Sequence, residues 1–397
     1  MIPYGHQDVR ESDIEAVVRV LRSDFLTQGP IVPQFEEAIA KLVGARHAVA
    51  VSSATAALHV ACLALHVGPG DWLWTTANTF VASANCGRYC GAEVDFVDID
   101  ARTWNMSVPK LREKLVQARS LGRLPKVVVP VHFAGQPTEQ EEIRALAYEF
   151  GFKIVEDASH AIGASRNGEP VGSCRWSEVT VFSFHPVKII TSGEGGVALT
   201  NDSQLAERMA KLRSHGITRD PQHLLLDSDA SPSRDGSKGG QPPWYYEQQL
   251  LGYNYRMSDI HAALGLSQLS RVRDYIERRN EFARRYDEAL KHFPLQLPCV
   301  AAENRSAFHL YVVRLKSQVE LKAKHRQVID YLHRCGIRAN LHYIPVHLHP
   351  YYRALGFGLG QFPEAEAYSQ SAVTLPLFPS MTTEAQDVVI TALEEIL

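Results

Sequence analysis

Short apolar runs alternate with helix-patterned segments through the first two-thirds of the chain, and this alternation constrains the fold more than any other feature. Strands are predicted at Ala48–Val51, Trp72–Thr75, Val94–Val97, Lys126–Val131, Lys153–Val155, Val179–Phe184 and Gly196–Thr200. Helices are predicted at Thr55–Leu65, Phe80–Tyr89, Val108–Ala118, Thr138–Phe150 and Ser203–Leu212. The runs at 126–131 and 153–155 are continuous rather than alternating, the pattern of parallel strands covered on both faces. Strand and helix taking turns in this way build β-α-β units with right-handed crossovers. The expected class is α/β.

The alternation stops at 221–243, where Ser228-Asp-Ala-Ser-Pro and its neighbours are polar and turn-forming, so a mobile surface excursion is predicted there. A long patterned segment over 258–293 is expected to be helical and to bridge two lobes. A smaller unit over 294–397 follows, with strands predicted at Phe308–Leu315 and Ile337–His342 around a helix at Lys322–Cys335. Its last segment, Thr383–Leu397, reads as a capped amphipathic helix. Residues 1–257 form the expected large unit, and 397 residues suffice for two or three such units.

Charge and apolar content exclude several function classes. The 41 basic residues against 44 acidic ones leave a net charge of -3, no field for drawing in nucleic acid or an anionic membrane. No apolar run approaches ~18 residues, and the N-terminus lacks a charged-then-apolar leader, so a cytoplasmic protein is expected. The six cysteines are scattered with no C-x-x-C pair, which reads as reduced, mostly buried thiols. His342, His347 and His349 share a Pro-bounded loop without a carboxylate at ligand spacing, and no metal site is expected.

Three segments carry chemistry. Lys153-Ile-Val-Glu-Asp157 delivers an Asp at the carboxyl end of a buried strand, the edge where open α/β sheets bind ligands. Such a carboxylate either meets a cation, for example a protonated ring nitrogen, or caps the next helix. In Phe182-Ser183-Phe184-His185-Pro186-Val187-Lys188-Ile189-Ile190 a single lysine sits among apolar neighbours. Lost hydration lowers the pKa of such an amine and frees it for Schiff-base chemistry. At Ser52-Ser53-Ala54-Thr55 a strand gives way to a helix through small residues, leaving backbone N–H groups for a phosphate, with Ser183 as a second hydroxyl. A phosphate, a basic ring nitrogen and an aldehyde are together met by pyridoxal 5′-phosphate. Phe80 is a candidate for stacking on its ring, or a core aromatic.

These residues resemble the DegT-type, pyridoxal-phosphate-dependent sugar aminotransferases. The likeness runs from Leu26-Thr27-Gln28-Gly29 through Ser53-Ala-Thr-Ala-Ala, Glu156-Asp-Ala-Ser-His160 and Gly193-Glu-Gly-Gly to Gly252-Tyr-Asn-Tyr-Arg256 and His342-Tyr-Ile-Pro345. It implies fold type I, a large domain with a mainly parallel seven-stranded sheet between helices and a smaller α/β C-terminal domain. It also implies Lys188 as Schiff-base lysine and proton shuttle, Asp157 as pyridinium partner and His160 beside the cofactor. Ser53, Ala54, Thr55 and Ser183 would hold the phosphate, Phe80 would cover the ring, and Asn254 would reach the other subunit's phosphate in a homodimer. Relatives that replace the lysine with His become dehydratases, so Lys188 argues for transamination.

Within that family, Pro243-Trp-Tyr-Tyr-Glu-Gln248 and Arg213-Ser-His-Gly-Ile-Thr-Arg219 look most like the transaminases of pseudaminic acid biosynthesis. The likeness implies L-glutamate as amino donor and a UDP-linked 4-keto-6-deoxy sugar as acceptor. It would place Tyr4, Asp24, Phe25, Leu26, Thr27, His342, Tyr343, Ile344 and Pro345 against the nucleotide sugar. Arg256 and Arg338 are alternatives for the glutamate carboxylates. The competing expectations are a 4-aminotransferase of the 4-amino-arabinose or perosamine type, and a regulator that binds the cofactor without turnover.

Overall fold

The computed structural model describes residues 1–225, 243–316 and 321–397. Most of the predicted 221–243 excursion, residues 226–242, therefore lies outside the described residues; its entrance, Pro221–His223, is a 3-10 turn capped by Asp220. Strand β1 is Ile2–Pro3, followed by helices α1 (Glu11–Leu21) and α2 (Ile31–Val43). Strands β2 (His47–Val51), β3 (Trp72–Thr76), β4 (Glu93–Val97), β5 (Val127–Val129) and β6 (Lys153–Asp157) then alternate with helices α3 (Ala54–Ala64), α4 (Ala82–Tyr89), α5 (Val108–Ser120) and α6 (Gln140–Phe150). A small hairpin, β7 (Ser165–Arg166) and β8 (Glu169–Pro170), precedes β9 (Val179–Ser183), β10 (Gly196–Thr200) and α7 (Ser203–Arg213).

All seven predicted strands join one sheet, in the order β2-β10-β9-β6-β5-β3-β4. Pairs within β4, β3, β5, β6 and β9 are parallel, and β10 alone runs antiparallel to its neighbours β9 and β2. Strand β5 stops at Val129, before Pro130, which cannot donate to the ladder. Alternate side chains serve opposite faces. Val49, Val51, Val127, Val129, Val155 and Val181 pack with α3, α4 and α7, while Trp74, Val128 and Ile154 pack with α5 and α6.

The segment predicted as one bridging helix is two, α8 (Asp259–Leu269) and α9 (Val272–Leu290). The break falls where Arg271 leaves helical geometry to place its guanidinium 2.7 and 2.6 Å from the two oxygens of the fully buried Asp13 carboxylate. Along α9, Val272, Tyr275 and Ile276 enter a core shared with the large sheet, whereas Phe282, Ala283, Tyr286 and Leu290 enter the C-terminal core. That second core surrounds a sheet of Leu295–Gln296, Tyr311–Leu315 and Ala372–Leu375. The strand predicted at Ile337–His342 shortens to Ile337–Arg338, and it pairs in parallel with β1. The first residues of the expected 1–257 unit thus attach to the C-terminal one.

Candidate active site

Asp157 ends β6 at the carboxyl edge of the sheet, and its side chain takes the same face as α4. There Ser83 donates its hydroxyl to Oδ2 at 2.6 Å, and the Ser159 N–H donates to Oδ1 at 3.1 Å. The carboxylate is buried yet provided with donors, which offsets the cost of desolvating a charge. Ser83 was not singled out in the sequence, although it lies in the predicted helix four residues after Thr79, to which it is also bonded.

Lys188 comes from the loop that joins β9 to β10. Phe184, Ile189 and Ile190 are buried and anchor this loop, so the lysine between them is half-buried rather than solvated. Burial lowers its ammonium pKa from 10.5 to about 8, against the opposing pull of Asp157. That leaves roughly one amine in ten neutral at pH 7, against fewer than one in a thousand for an ordinary lysine, and the neutral amine is the form a nucleophilic lysine uses.

Ser53 is the N-cap of α3 and accepts the Ala56 N–H at 3.1 Å, a cap of about 1 kcal/mol. The start of α3 faces the cavity, with free N–H groups in its first turn. A close approach completes the cradle. A Cβ added to Gly196 would lie 2.5 Å from the Ala54 nitrogen, so only glycine lets β10 run so near this turn.

One cavity of about 650 Å³ unites these parts: Ser53, Ala54, Thr55, Phe80, Asp157, His160, Ser183 and Lys188 all line it. An amine, a carboxylate and a helix N-terminus facing one space fit pyridoxal phosphate, whose aldehyde, ring nitrogen and phosphate they match. Phe80 is 57% exposed at the rim, with its ring 6.1 Å from that of Tyr343.

The C-terminal segment supplies the opposite wall. His342 and Tyr343 line it together with His309, Asn340 and Leu341, and Tyr4 joins them from the N-terminal segment. His160 Nδ1 accepts the Ala134 N–H at 3.3 Å, so the neutral ring carries its proton on Nε2 and donates it to the Tyr343 oxygen at 3.2 Å. Burial keeps His160, His309 and His342 neutral, with Lys188 adding to the effect; His342 is lowered to about 3. His309 packs its ring 4.4 Å from that of His160. It escaped the sequence reading because nothing local distinguishes it from a strand residue.

Other predicted residues lie elsewhere. Asp24, Phe25, Leu26 and Thr27 are exposed and outside this cavity, with Leu26 and Thr27 fastened to the start of α8. Ile344 is exposed and Pro345 buried, neither in the lining. Asn254 is exposed and bridges to Ser214. Arg256 is bonded to the Ser214 hydroxyl at 3.1 Å and Arg338 is exposed; neither lines the cavity. Among the described residues no helix is long and apolar enough to cross a membrane, and no group of three or more His, Cys, Asp or Glu could hold a metal ion.

Comparison with known proteins agrees with this geometry. Residues 7–394 match the DegT/DnrJ/EryC1/StrS aminotransferase family. The spore coat polysaccharide biosynthesis protein SpsC of Bacillus subtilis (strain 168) is 38% identical over 397 residues, covering 100% of this chain and 97% of its own. The putative sugar aminotransferase Spr1654 from Streptococcus pneumoniae, in its PMP form, is 29% identical with a TM-score of 0.87, and each chain is covered in full at 100%. Helicobacter pylori PseC, an aminotransferase involved in the biosynthesis of pseudoaminic acid, is 30% identical with a TM-score of 0.87, over 100% of this chain and 98% of its own. The fold is that of these fold-type I enzymes, and the chain belongs to the DegT/DnrJ/EryC1/StrS family as a pyridoxal-phosphate-dependent sugar aminotransferase.

Proposed function

We propose that the chain moves the amino group of L-glutamate to the C4 ketone of a UDP-linked 4-keto-6-deoxy-N-acetylhexosamine, giving UDP-4-amino-4,6-dideoxy-N-acetyl-β-L-altrosamine. The observation that carries the chemistry is the half-buried Lys188 amine facing Asp157 in one cavity with the start of α3. The sugar assignment is supported by likeness to PseC over the full length of this chain. Pyridoxal phosphate, when bound, supplies the electron sink. Lys188 takes and returns the proton at the reacting carbon in both half-reactions. Asp157, its oxygens fixed by Ser83 and Ser159, keeps the ring nitrogen protonated. Ser53, Ala54, Thr55 and Ser183 hold the phosphate, while Tyr4, His342 and Tyr343 meet the sugar.

The enzyme works in the cytoplasm as a homodimer. The 254–258 segment supports the shared site: it meets Ser214 through Asn254, Val51 through Arg256 and Thr27 through Ser258. It brings the exposed Asn254 near the exposed 24–27 loop, and both serve the partner's cavity. A second reading, a different nucleotide-sugar 4-aminotransferase, is favoured by the higher identity to SpsC.

The test begins with the visible spectrum of the purified protein. A band near ~420 nm that collapses toward ~330 nm with L-glutamate is expected, and a band indifferent to glutamate would favour the regulator or a different amino donor. UDP-linked and other 4-ketosugars are then offered side by side. Preference for a ketosugar of the arabinose or perosamine type would overturn the sugar assignment alone.

A further inference from the structure

A dicarboxylic amino donor brings two negative charges into the cavity, yet Lys188 is the one lysine or arginine among the described lining residues. Three buried imidazoles line the same space: His160, His309 and His342. They differ in how their ring nitrogens are used. His160 spends both, on the Ala134 N–H and the Tyr343 hydroxyl. His342 spends Nδ1 on the Thr374 hydroxyl at 2.9 Å. His309 spends neither. Its Nδ1 is enclosed without a hydrogen-bond partner. Its Nε2 meets no polar atom of the described residues either, but it is not enclosed, so it opens on the cavity that His309 lines. A bare lone pair is a commoner orphan in a protein interior than an N–H. The ring proton therefore sits on Nε2, as a donor into the cavity.

The backbone behind this imidazole is firmly held. Arg279 Nη1 donates to the carbonyls of Phe308 and His309 at 3.2 Å each and to that of Leu377 at 2.9 Å. Phe308 has φ 42°, a conformation that a bulky residue keeps only when its surroundings enforce it. Gly135 makes room for the segment: a Cβ there would lie 2.9 Å from the Phe308 nitrogen and 3.0 Å from that of His309. The His160 ring, with its centroid 4.4 Å away, closes the remaining side. Arg279 itself is fully buried, and its Nε and Nη2 have no partner. Among the described residues no carboxylate offsets its charge; burial alone draws its pKa down, to about 9. Buried charges in proteins are ordinarily paired.

We propose that His309 donates from Nε2 to a carboxylate of the amino donor, with the unpaired guanidinium of Arg279 behind it favouring an anion at this wall. The inference deepens the aminotransferase reading and rests on it. The arriving carboxylate supplies the counter-charge that the C-terminal core lacks, across a medium that screens charge far less than water. His309 gives it a fixed N–H, so no side chain has to be ordered on binding. The ketosugar is uncharged where it reacts, so the field of Arg279 serves the donor half of the cycle.

Glutarate, a dicarboxylate without an amine, is titrated calorimetrically into the cofactor-loaded enzyme beside glutaramide, its uncharged diamide. The wild type should prefer glutarate at least about tenfold, as expected for a hydrogen bond to a charged group. His309→Leu should erase about tenfold of that preference, and His309→Gln, which keeps an N–H near the position of Nε2, should restore most of it. Arg279→Gln should reduce the preference about fivefold; if that variant does not fold by circular dichroism, the two His309 variants decide. A merely structural role would weaken both ligands alike and leave their ratio untouched. An unchanged ratio in His309→Leu would overturn the site. So would a preference lost in Arg256→Met but kept in His309→Leu, which would give the carboxylate to Arg256 of the partner subunit. The aminotransferase reading is judged separately, by the response of the visible band to L-glutamate. A band that collapses while the His309→Leu ratio stays unchanged sinks this site alone. A band that ignores L-glutamate while glutarate binding depends on His309 sinks the donor assignment and keeps the carboxylate site.

Discussion

The two walls of the cavity are built on different principles. One wall is sheet edge and helix start: Asp157 closes β6, Ser53 caps α3, and Lys188 follows β9, each set by backbone that hydrogen bonds already specify. The other is assembled from side chains of remote segments, in which Tyr4, His160, His309, His342 and Tyr343 order one another by ring contacts and single hydrogen bonds. The difference teaches where chemistry and recognition reside. Charges that must be fixed stand on the sheet edge, and the neutral, adjustable surface faces them.

Breaking the first wall should cost most. Lys188→Ala is expected to leave a folded protein whose turnover falls by at least about 10²–10⁴-fold, the range for a lost proton-transfer group. Steady-state kinetics and circular dichroism check this, and normal turnover would remove Lys188 from its role. Asp157→Asn should still take up cofactor but turn over about 10²-fold more slowly, read from single-turnover absorbance. The pH dependence is next. Cofactor capture needs the neutral amine, so its rate should fall about tenfold per unit below pH about 8 and level off above it, followed by stopped-flow absorbance. The sign for stability follows from the same shift. Between about 8 and 10.5 the unfolded chain binds more protons at Lys188 than the folded one, so cofactor-free protein should gain melting temperature as pH rises through that window.

Smaller effects sharpen the contrast. Gly196→Ala pushes a methyl into the Ala54 turn and should weaken cofactor binding about tenfold, measured by equilibrium titration. Tyr343→Phe removes one hydrogen bond to His160, worth about 1 kcal/mol, and should lower kcat/KM about fivefold with cofactor affinity unchanged. If Tyr343→Phe proved as damaging as Asp157→Asn, the distinction between the walls would collapse.

The same distinction explains what could be read from the sequence. The seven strands, Asp157, Lys188 and the Ser53 cap announce themselves through neighbours one to five residues away, by apolar runs, strand ends and cap residues. The opposite wall depends on distance along the chain. His309 reaches the cavity only because Arg279 donates to the carbonyls of Phe308 and His309, at 3.2 Å each, and to that of Leu377 at 2.9 Å. The break between α8 and α9 is equally invisible, since Arg271 finds Asp13 across 258 residues. So is the bracing of the loop before α2, where the Asp259 carboxylate accepts the N–H groups of Gly29, Ile31 and Val32. Each is a polar group satisfied by a remote partner, and no periodicity records it.

Helix α9 has a consequence for how the molecule comes apart. A single unbroken rod with one end embedded beside the large sheet and the other in the C-terminal core couples the fates of both. Arg279, fully buried at its middle, acts as a rivet between them. Neither core can melt without freeing half of the rod, so heat should dismantle the two together in one calorimetric peak.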